Sequence, residues 1–387
     1  MLLGIDRLVA RRFTSLYKTR IGLYSNISSC DSRLLPTIEI LRRHKLCNVT
    51  MILAPEHGLF GAQQDQERSK DYYDRRRKMW VYSLYGKKLV PDMSTSKKID
   101  TLVIDVQDIG TRYYTFVWSA VLLIQHMAQL NKKVIILDRP NPLNGTTIEG
   151  PVLTMSHRSF VGLYPIPVRH GLTIAELCNF INTEYDIGAD IEVIPMKGWH
   201  RRFFYHDTGL HWTIPSPNMP SYTTAFVYPG MCLLEGTNVS EGRGTTRPFE
   251  LFGAPWIDPF QLVRTLQNKH LAGAAFRPTV FIPTFHKFKN ELCGGAHIYI
   301  TDIKKFEPVV TGLTIIKVIR DLYRHRFAWR KPPYEFEKHK LPFDILIGNE
   351  WVRKAIENGV SINTIQKRWQ KDLNQFKKMR KKYLLYT

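Results

Sequence analysis

Through the first half of the chain, short β-branched runs alternate with segments whose apolar positions recur at helical spacing. Arg20–Ser25 (RIGLYS), Asn48–Ala54 (NVTMILA), Ile99–Val106 (IDTLVIDV) and Lys133–Leu137 (KVIIL) read as strands. Leu34–Leu46 and Tyr113–Leu130 read as helices between them. The runs are nearly continuous in apolar residues, the pattern of parallel strands covered on both faces. Thr173–Tyr185 follows as a helix, with Thr173 at the N-cap and Glu176 three residues on, and Ile191–Pro195 as a strand. This β-α-β-α order predicts an α/β fold with a Rossmann-like, mostly parallel sheet.

The periodicity fades over residues 196–257, which are rich in Gly, Pro, Trp and Thr. A loop-rich stretch of that length in a compact protein is usually functional or connective. Helix then resumes at Pro259–Asn268, strands at Pro278–Pro283 and Ala296–Thr301, and helix at Thr311–Tyr323. The last segment, Ile362–Tyr383, puts Ile362, Ile365, Trp369, Leu373, Phe376 and Tyr383 on one helical stripe, with a basic cluster expected opposite.

Composition excludes several classes. The 387 residues are 44% hydrophobic and 23% charged, ordinary globular usage. No run approaches the roughly 20 apolar residues of a membrane span. The N-terminus lacks the apolar core of a secretory leader, so the chain as it stands is expected in the cytoplasm. The five cysteines are scattered without C-x-x-C spacing, against a disulfide framework or a zinc ribbon. The formal charge of +21 is uneven: residues 351–387 carry ten basic and two acidic side chains, and residues 70–88 seven and two. Such a surface attracts anionic polymers without sequence preference, and no nucleic-acid module accompanies it.

Candidate chemistry gathers where ligands bind in open α/β sheets, beyond the carboxyl ends of the strands. The first strand runs into Asn26 and the second into Pro55-Glu56-His57-Gly58. The third ends near Asp105 and continues through Gln107, Asp108 and Arg112; the fourth delivers Asp138, Arg139 and Asn141. Glu56 is the sharpest of these, because a carboxyl at a partly apolar strand end suits acid–base work. The alternative is that Glu56 pairs with a cation such as Arg112 and fastens its loop. No second ligand stands at metal-site spacing from His57, so no metal is expected. The Gly-rich segment Glu241–Arg247 lacks a P-loop ending, no G-x-G-x-x-G follows the first strand, and there is no G-x-S-x-G elbow.

These motifs, with PEHGLFG (Pro55–Gly61), VQDIGTRYYTF (Val106–Phe116), LDRPNPLNG (Leu137–Gly145), FVGLYPIPVRHGLT (Phe160–Thr173), PSPNMP (Pro215–Pro220) and the long run Tyr228–Asp258, resemble the bacterial exo-β-N-acetylmuramidase family. The likeness extends in order over nearly the whole chain. It implies a Rossmann-like catalytic domain over residues 1–230, a smaller C-terminal α/β domain over 231–387, and a cleft near their junction. It further implies a glycosidase that releases N-acetylmuramic acid from the non-reducing end of peptidoglycan fragments, muropeptide or disaccharide, with no cofactor and with Glu56 as the catalytic residue. Members of the family are often exported.

Glycosidic cleavage needs an acid at the leaving oxygen and stabilisation of an oxocarbenium-like centre. A second carboxylate (Asp105, Asp108, Glu149 or Glu241) is one expected partner of Glu56. The substrate's own acetamido group, assisted by Glu56 and Tyr164, is the other. The lactyl carboxylate of muramic acid calls for a cation, and Arg112, Arg139, Arg169, Arg243 and Arg247 lie in the motifs, with His170 beside Arg169. Two other classes remain: a carbohydrate- or cell-wall-binding protein without turnover, and a hydrolase of a phosphorylated substrate.

Overall fold

In the computed structural model, which describes residues 1–67 and 69–387, the apolar runs of the first half do pair edge to edge. The elements of this half are α1 (Gly4–Ala10), β1 (Arg20–Ser25), α2 (Thr37–Arg43), β2 (Asn48–Ala54), β3 (Tyr72–Asp74), β4 (Met79–Ser83) and α3 (Met93–Ser96). They continue with β5 (Thr101–Asp105), α4 (Phe116–Gln129), β6 (Lys133–Leu137), β7 (Glu149–Val152), β8 (Pro167–Arg169), α5 (Ile174–Glu184) and β9 (Ile191–Ile194). Seven strands form one sheet in the order β3-β4-β2-β1-β5-β6-β9, parallel except for β3 against β4. The residues of β5 are all buried, because α4 and α5 cover one face and α1 with α2 the other. Thr173 caps α5 in the expected box with Glu176.

The second half contains α6 (Tyr222–Met231), β10 (Leu251–Ala254), α7 (Pro259–Gln267), β11 (Ala274–Phe281), β12 (Cys293–Ile300) and α8 (Pro308–Leu322). It ends with α9 (Pro342–Ile347), α10 (Trp351–Glu357) and α11 (Ile362–Arg380). Its sheet is antiparallel, in the order β10-β12-β11. Helices α6 and α8 meet through glycines: a Cβ on Gly312 would stand 2.3 Å from the Gly230 carbonyl oxygen. The apolar core runs unbroken from the α4 face of the large sheet into this half.

Several elements differ from the sequence reading. The basic stretch of residues 70–88 holds β3 and β4, an edge hairpin whose turn carries Arg75 and Arg76. The basic residues cluster in the turn and not on the strands, so the segment reads as a charge cluster and hides the short strands on either side. Helix α4 begins at Phe116, three residues later than expected, because Thr111 and Arg112 pair with the 168–169 backbone instead. The loop-rich stretch contains α6, obscured in the sequence by Pro229 and Gly230.

Helix α11 buries Ile365, Trp369, Leu373 and Phe376 as expected, but Arg380 lies on the same buried stripe. Its guanidinium donates to the carbonyls of His170, Gly171 and Thr146 at 2.9, 2.8 and 3.0 Å. The helix therefore reaches back to the N-terminal half, where Phe376 also meets Phe180 edge to face.

Arg112 plays the same part at the centre. It is fully buried and donates to the carbonyls of Pro151 and Ile166 and, from α9, Leu346, at 2.9, 2.8 and 2.8 Å. Replacing it with Ala takes a charged donor from three buried carbonyls, of which Ile166 keeps the Leu153 N–H at 3.2 Å, at about 1–3 kcal/mol each. Urea unfolding of Arg112→Ala is expected to show a loss of at least about 3 kcal/mol; a loss under about 1 kcal/mol would mean that water reaches these carbonyls.

Candidate active site

The strand-edge loops of the large sheet and the loops around α6 and β10 line a pocket. Glu56 and His57 enter from the end of β2, Asp65 from the loop beyond, and Tyr113, Tyr114 and Thr115 from the turn before α4. Ser216 and Asn218 come from the loop before α6, and Tyr228 from α6 itself. Glu235, Arg243 and Phe249 follow, and Tyr334 and Glu335 close the far side. The β2 turn is tight: His57 has φ +70° and Gly58 φ +74°. That left-handed pair folds the loop back so that Gln66 N–H donates to Glu56 Oε1 at 3.2 Å. Thr115 donates to Glu56 Oε2 at 2.7 Å, and His57 Nδ1 lies 2.9 Å from the Gln63 carbonyl.

Carboxylates crowd this pocket. Glu56, Asp65, Glu235 and Glu335 line it, and buried Glu241 stands directly behind. Arg243 answers three of them, at 2.7 Å from Glu235, 3.2 Å from Asp65 and 3.6 Å from Glu241, with its guanidinium over the Phe249 ring. Lys287 meets Glu241 at 2.9 Å and His286 at 3.2 Å. Burial opposes ionisation of Glu241, but Lys287, His286 and Arg243 together hold it well below the usual carboxylate range. In return, the Glu241 carboxylate raises the basicity of the His286 beside it, against the effect of burial. Glu335 has no cation. Burial first, and then the Glu56 charge, push its pKa well above the ordinary value. Its Oε2 accepts from the Tyr85 hydroxyl at 2.9 Å.

Of the residues singled out in the sequence, Glu56, His57 and Arg243 line the pocket, and Glu241 supports it. The others are placed elsewhere. Asp105 and Arg139 form a buried bidentate pair at 2.5 and 3.1 Å beneath the strand ends. Asn26 and Gln107 bond the Pro215 and Pro140 carbonyls, and Asn141 bonds that of Leu172. Asp138 accepts from Thr173, Ala175 and Tyr386 at the start of α5, and burial raises it to about 7. Asp108 is likewise raised to about 7 by burial, beside His170, which burial and then Arg380 and Arg112 lower to about 3. The Tyr164 hydroxyl accepts from Gln125, and its ring rests on Tyr185, away from Glu56. Arg169 and Glu149 face a separate groove with Lys304, Lys305 and Arg202 on its rim. Arg247 is a surface partner of Glu250. The sequence reading missed Asp65, Glu235, Glu335 and Tyr85. Glu235 lies within the long Tyr228–Asp258 motif, but Glu335 sits in a Pro-rich stretch with no periodicity and no motif to mark it.

No group of three His, Cys, Asp or Glu side chains among the described residues is placed to hold a metal ion. No helix among them is long and apolar enough to cross a membrane.

Two family models meet end to end on the chain: the N-terminal exo-β-N-acetylmuramidase NamZ model over residues 21–223 and the C-terminal one over residues 226–386. The chain belongs to the NamZ exo-β-N-acetylmuramidase family. It is 44% identical over 384 residues to the peptidoglycan β-N-acetylmuramidase NamZ of Bacillus subtilis (strain 168), covering 99% of this chain and 91% of the relative. Crystal structures of two DUF1343-family proteins of Bacteroides fragilis superpose with TM-scores of 0.90 and 0.74 at 32% and 31% identity. Each alignment covers 100% of this chain and 99% of the other.

Arg243 is the structural keystone of the NamZ-family pocket in this chain, because both edges of its guanidinium are taken by carboxylates. Arg243→Ala is expected to cost about 3–5 kcal/mol at pH 7, the usual consequence of stranding buried charges. The deficit should hold down to about pH 4 and be smaller at pH 3. The depressed Glu241 contributes stability above the unfolded carboxyl range, near 4.3, and that contribution is lost as pH falls. Urea unfolding at neutral and at acid pH checks this; a deficit independent of pH would contradict it.

Proposed function

We propose that this chain hydrolyses the β-glycosidic bond of a terminal N-acetylmuramic acid residue in peptidoglycan fragments, releasing that sugar from the non-reducing end. One observation carries the reading: both halves of the chain match the exo-β-N-acetylmuramidase models, and Glu56 of the PEHG motif stands in the pocket between them. The pocket supports the chemistry. Tyr113, Tyr114, Tyr228 and Phe249 offer aromatic surface for a sugar ring, and Glu56 supplies a carboxyl within it. Confinement to one small pocket suits an enzyme that takes the last residue of a chain rather than one that binds along its middle.

Specificity for the lactyl carboxylate does not fall simply to the arginines of the motifs. Arg112 and Arg139 are occupied by carbonyls and by Asp105, and Arg169 faces the other groove. Arg243 remains in the pocket but is shared by Asp65 and Glu235. Arg243 is therefore not a free cation for that carboxylate.

The test uses a chromogenic β-N-acetylmuramide, the matching glucosaminide, and a chelator. Wild-type protein is expected to cleave the muramide with or without EDTA and to discriminate against the glucosaminide. Glu56→Gln should lower turnover by about 10²–10⁴ with unfolding behaviour retained. A Glu56→Gln protein with most of the wild-type rate, or a rate that EDTA abolishes and a divalent ion restores, would overturn the assignment.

A further inference from the structure

Five carboxyls meet three cations around the pocket, so two acidic groups are left without a counterion. Asp65, Glu235 and Glu241 are matched by Arg243, Lys287 and His286. Glu56 and Glu335 are left over, with no cation within salt-bridge distance of either among the described residues. Both are buried, at 4% and 7% exposure, and both line the same pocket. The Tyr85 hydroxyl donates to Glu335 and has Glu56 as its other acidic neighbour. Burial and the neighbouring Glu56 charge both favour the protonated form of Glu335.

Hydrogen bonding separates their roles. Glu56 accepts at both oxygens, from the Gln66 amide and the Thr115 hydroxyl, a pair of donors that suits an anion. Glu335 accepts at one oxygen only, from Tyr85, and its other oxygen is free to carry a proton. The groups around Glu335 are Glu56, Asp65 and Glu235 on the acidic side, with Tyr85 and Tyr334 as hydroxyls, and Arg243 committed to Asp65 and Glu235. The backbone holds Glu335 there in a left-handed turn, φ +47°, followed by Phe336 at φ +67°. A bulky residue in that region is strained and is kept there by its surroundings. Phe336 packs on Tyr85 and Phe160, which fixes the turn against the β4 end.

We propose that Glu335 is the general acid of this pocket, working opposite an ionised Glu56 and positioned by Tyr85. The inference rests on the glycosidase reading above. The carboxyl proton of Glu335 passes to the glycosidic oxygen as the bond from that oxygen to the anomeric carbon breaks. The bonding pair leaves with the oxygen, which becomes the hydroxyl of the departing sugar. Water adds to the anomeric carbon and gives its proton to Glu56. The Tyr85 hydroxyl then takes that proton and passes its own to Glu335, which restores the starting arrangement without net change.

The experiment compares two substrates. A muramyl-glucosaminide disaccharide has a poor leaving group and needs the acid; a 4-nitrophenyl β-N-acetylmuramide leaves as a phenolate and needs it far less. Glu335→Gln should lower kcat/KM on the disaccharide by about 10²–10⁴, but on the aryl muramide by about tenfold or less. It should also remove the alkaline limb of the pH profile. Glu56→Gln should lose both substrates. Tyr85→Phe removes a donor that favours the Glu335 anion, so its alkaline limb should move to higher pH. Equal losses on the two substrates by Glu335→Gln, an unchanged disaccharide rate, or an unmoved alkaline limb in Tyr85→Phe would overturn the assignment. Wild-type protein that cleaves neither substrate would instead overturn the glycosidase reading, and the acid role with it.

Discussion

Buried loop carbonyls need donors, and in this protein buried arginines supply them. Around the pocket, buried backbone oxygens lie in loops or in short elements whose ladders leave acceptors open. Arg112 serves Pro151, Ile166 and Leu346; Arg380 serves His170, Gly171 and Thr146; Arg201 serves Gly145 and Gly171. A guanidinium is suited to this, with several donors in a rigid fork and a charge that is not easily lost. Arg112 and Arg380 also join the two halves of the chain, from the strand-edge loop to α9 and from α11 to the loop after β8. The halves are therefore fastened around the pocket rather than merely adjacent.

That fastening permits the unusual electrostatics of the site. Five carboxyl groups, Glu56, Asp65, Glu235, Glu241 and Glu335, crowd together at low exposure, an arrangement that a loose interface would relieve by opening to water. Three of them are matched by Arg243, His286 and Lys287. The surplus is concentrated on Glu56 and Glu335, where both halves contribute one group each. A carboxyl kept protonated by burial and a neighbouring carboxylate is a recurring solution to acid–base work at neutral pH. Here it depends on the interdomain packing that brings residue 335 to residue 56.

The basicity of the chain is a separate matter. Much of it lies on the β3–β4 hairpin and along α11, away from the carboxyl cluster. Arg77 is drawn in between Glu39 and Asp74, and Arg380 is buried, but Arg75, Arg76 and most of the α11 lysines remain exposed. These charges offer weak, salt-sensitive attraction to anionic polymers and do not enter the pocket.

The sequence by itself determined the parallel sheet, because strands buried on both faces must be apolar almost throughout: β1, β2, β5 and β6 are legible from periodicity alone. It also determined the family, because long ordered motifs survive as text, and it placed Glu56 at a strand end, where topology requires ligands to bind. The tertiary structure alone decided what each polar residue at that edge does. Asp105, Arg139, Asn141 and Arg112 carry the same residue types as a binding site, yet they satisfy buried backbone and one another. A donor meant for a carbonyl and a donor meant for a substrate are identical in sequence; only the position of the acceptor separates them. Glu335 shows the converse. It has no motif and no periodicity, and it acquires its chemistry from a partner 279 positions away in the chain, Glu56, that only folding brings near.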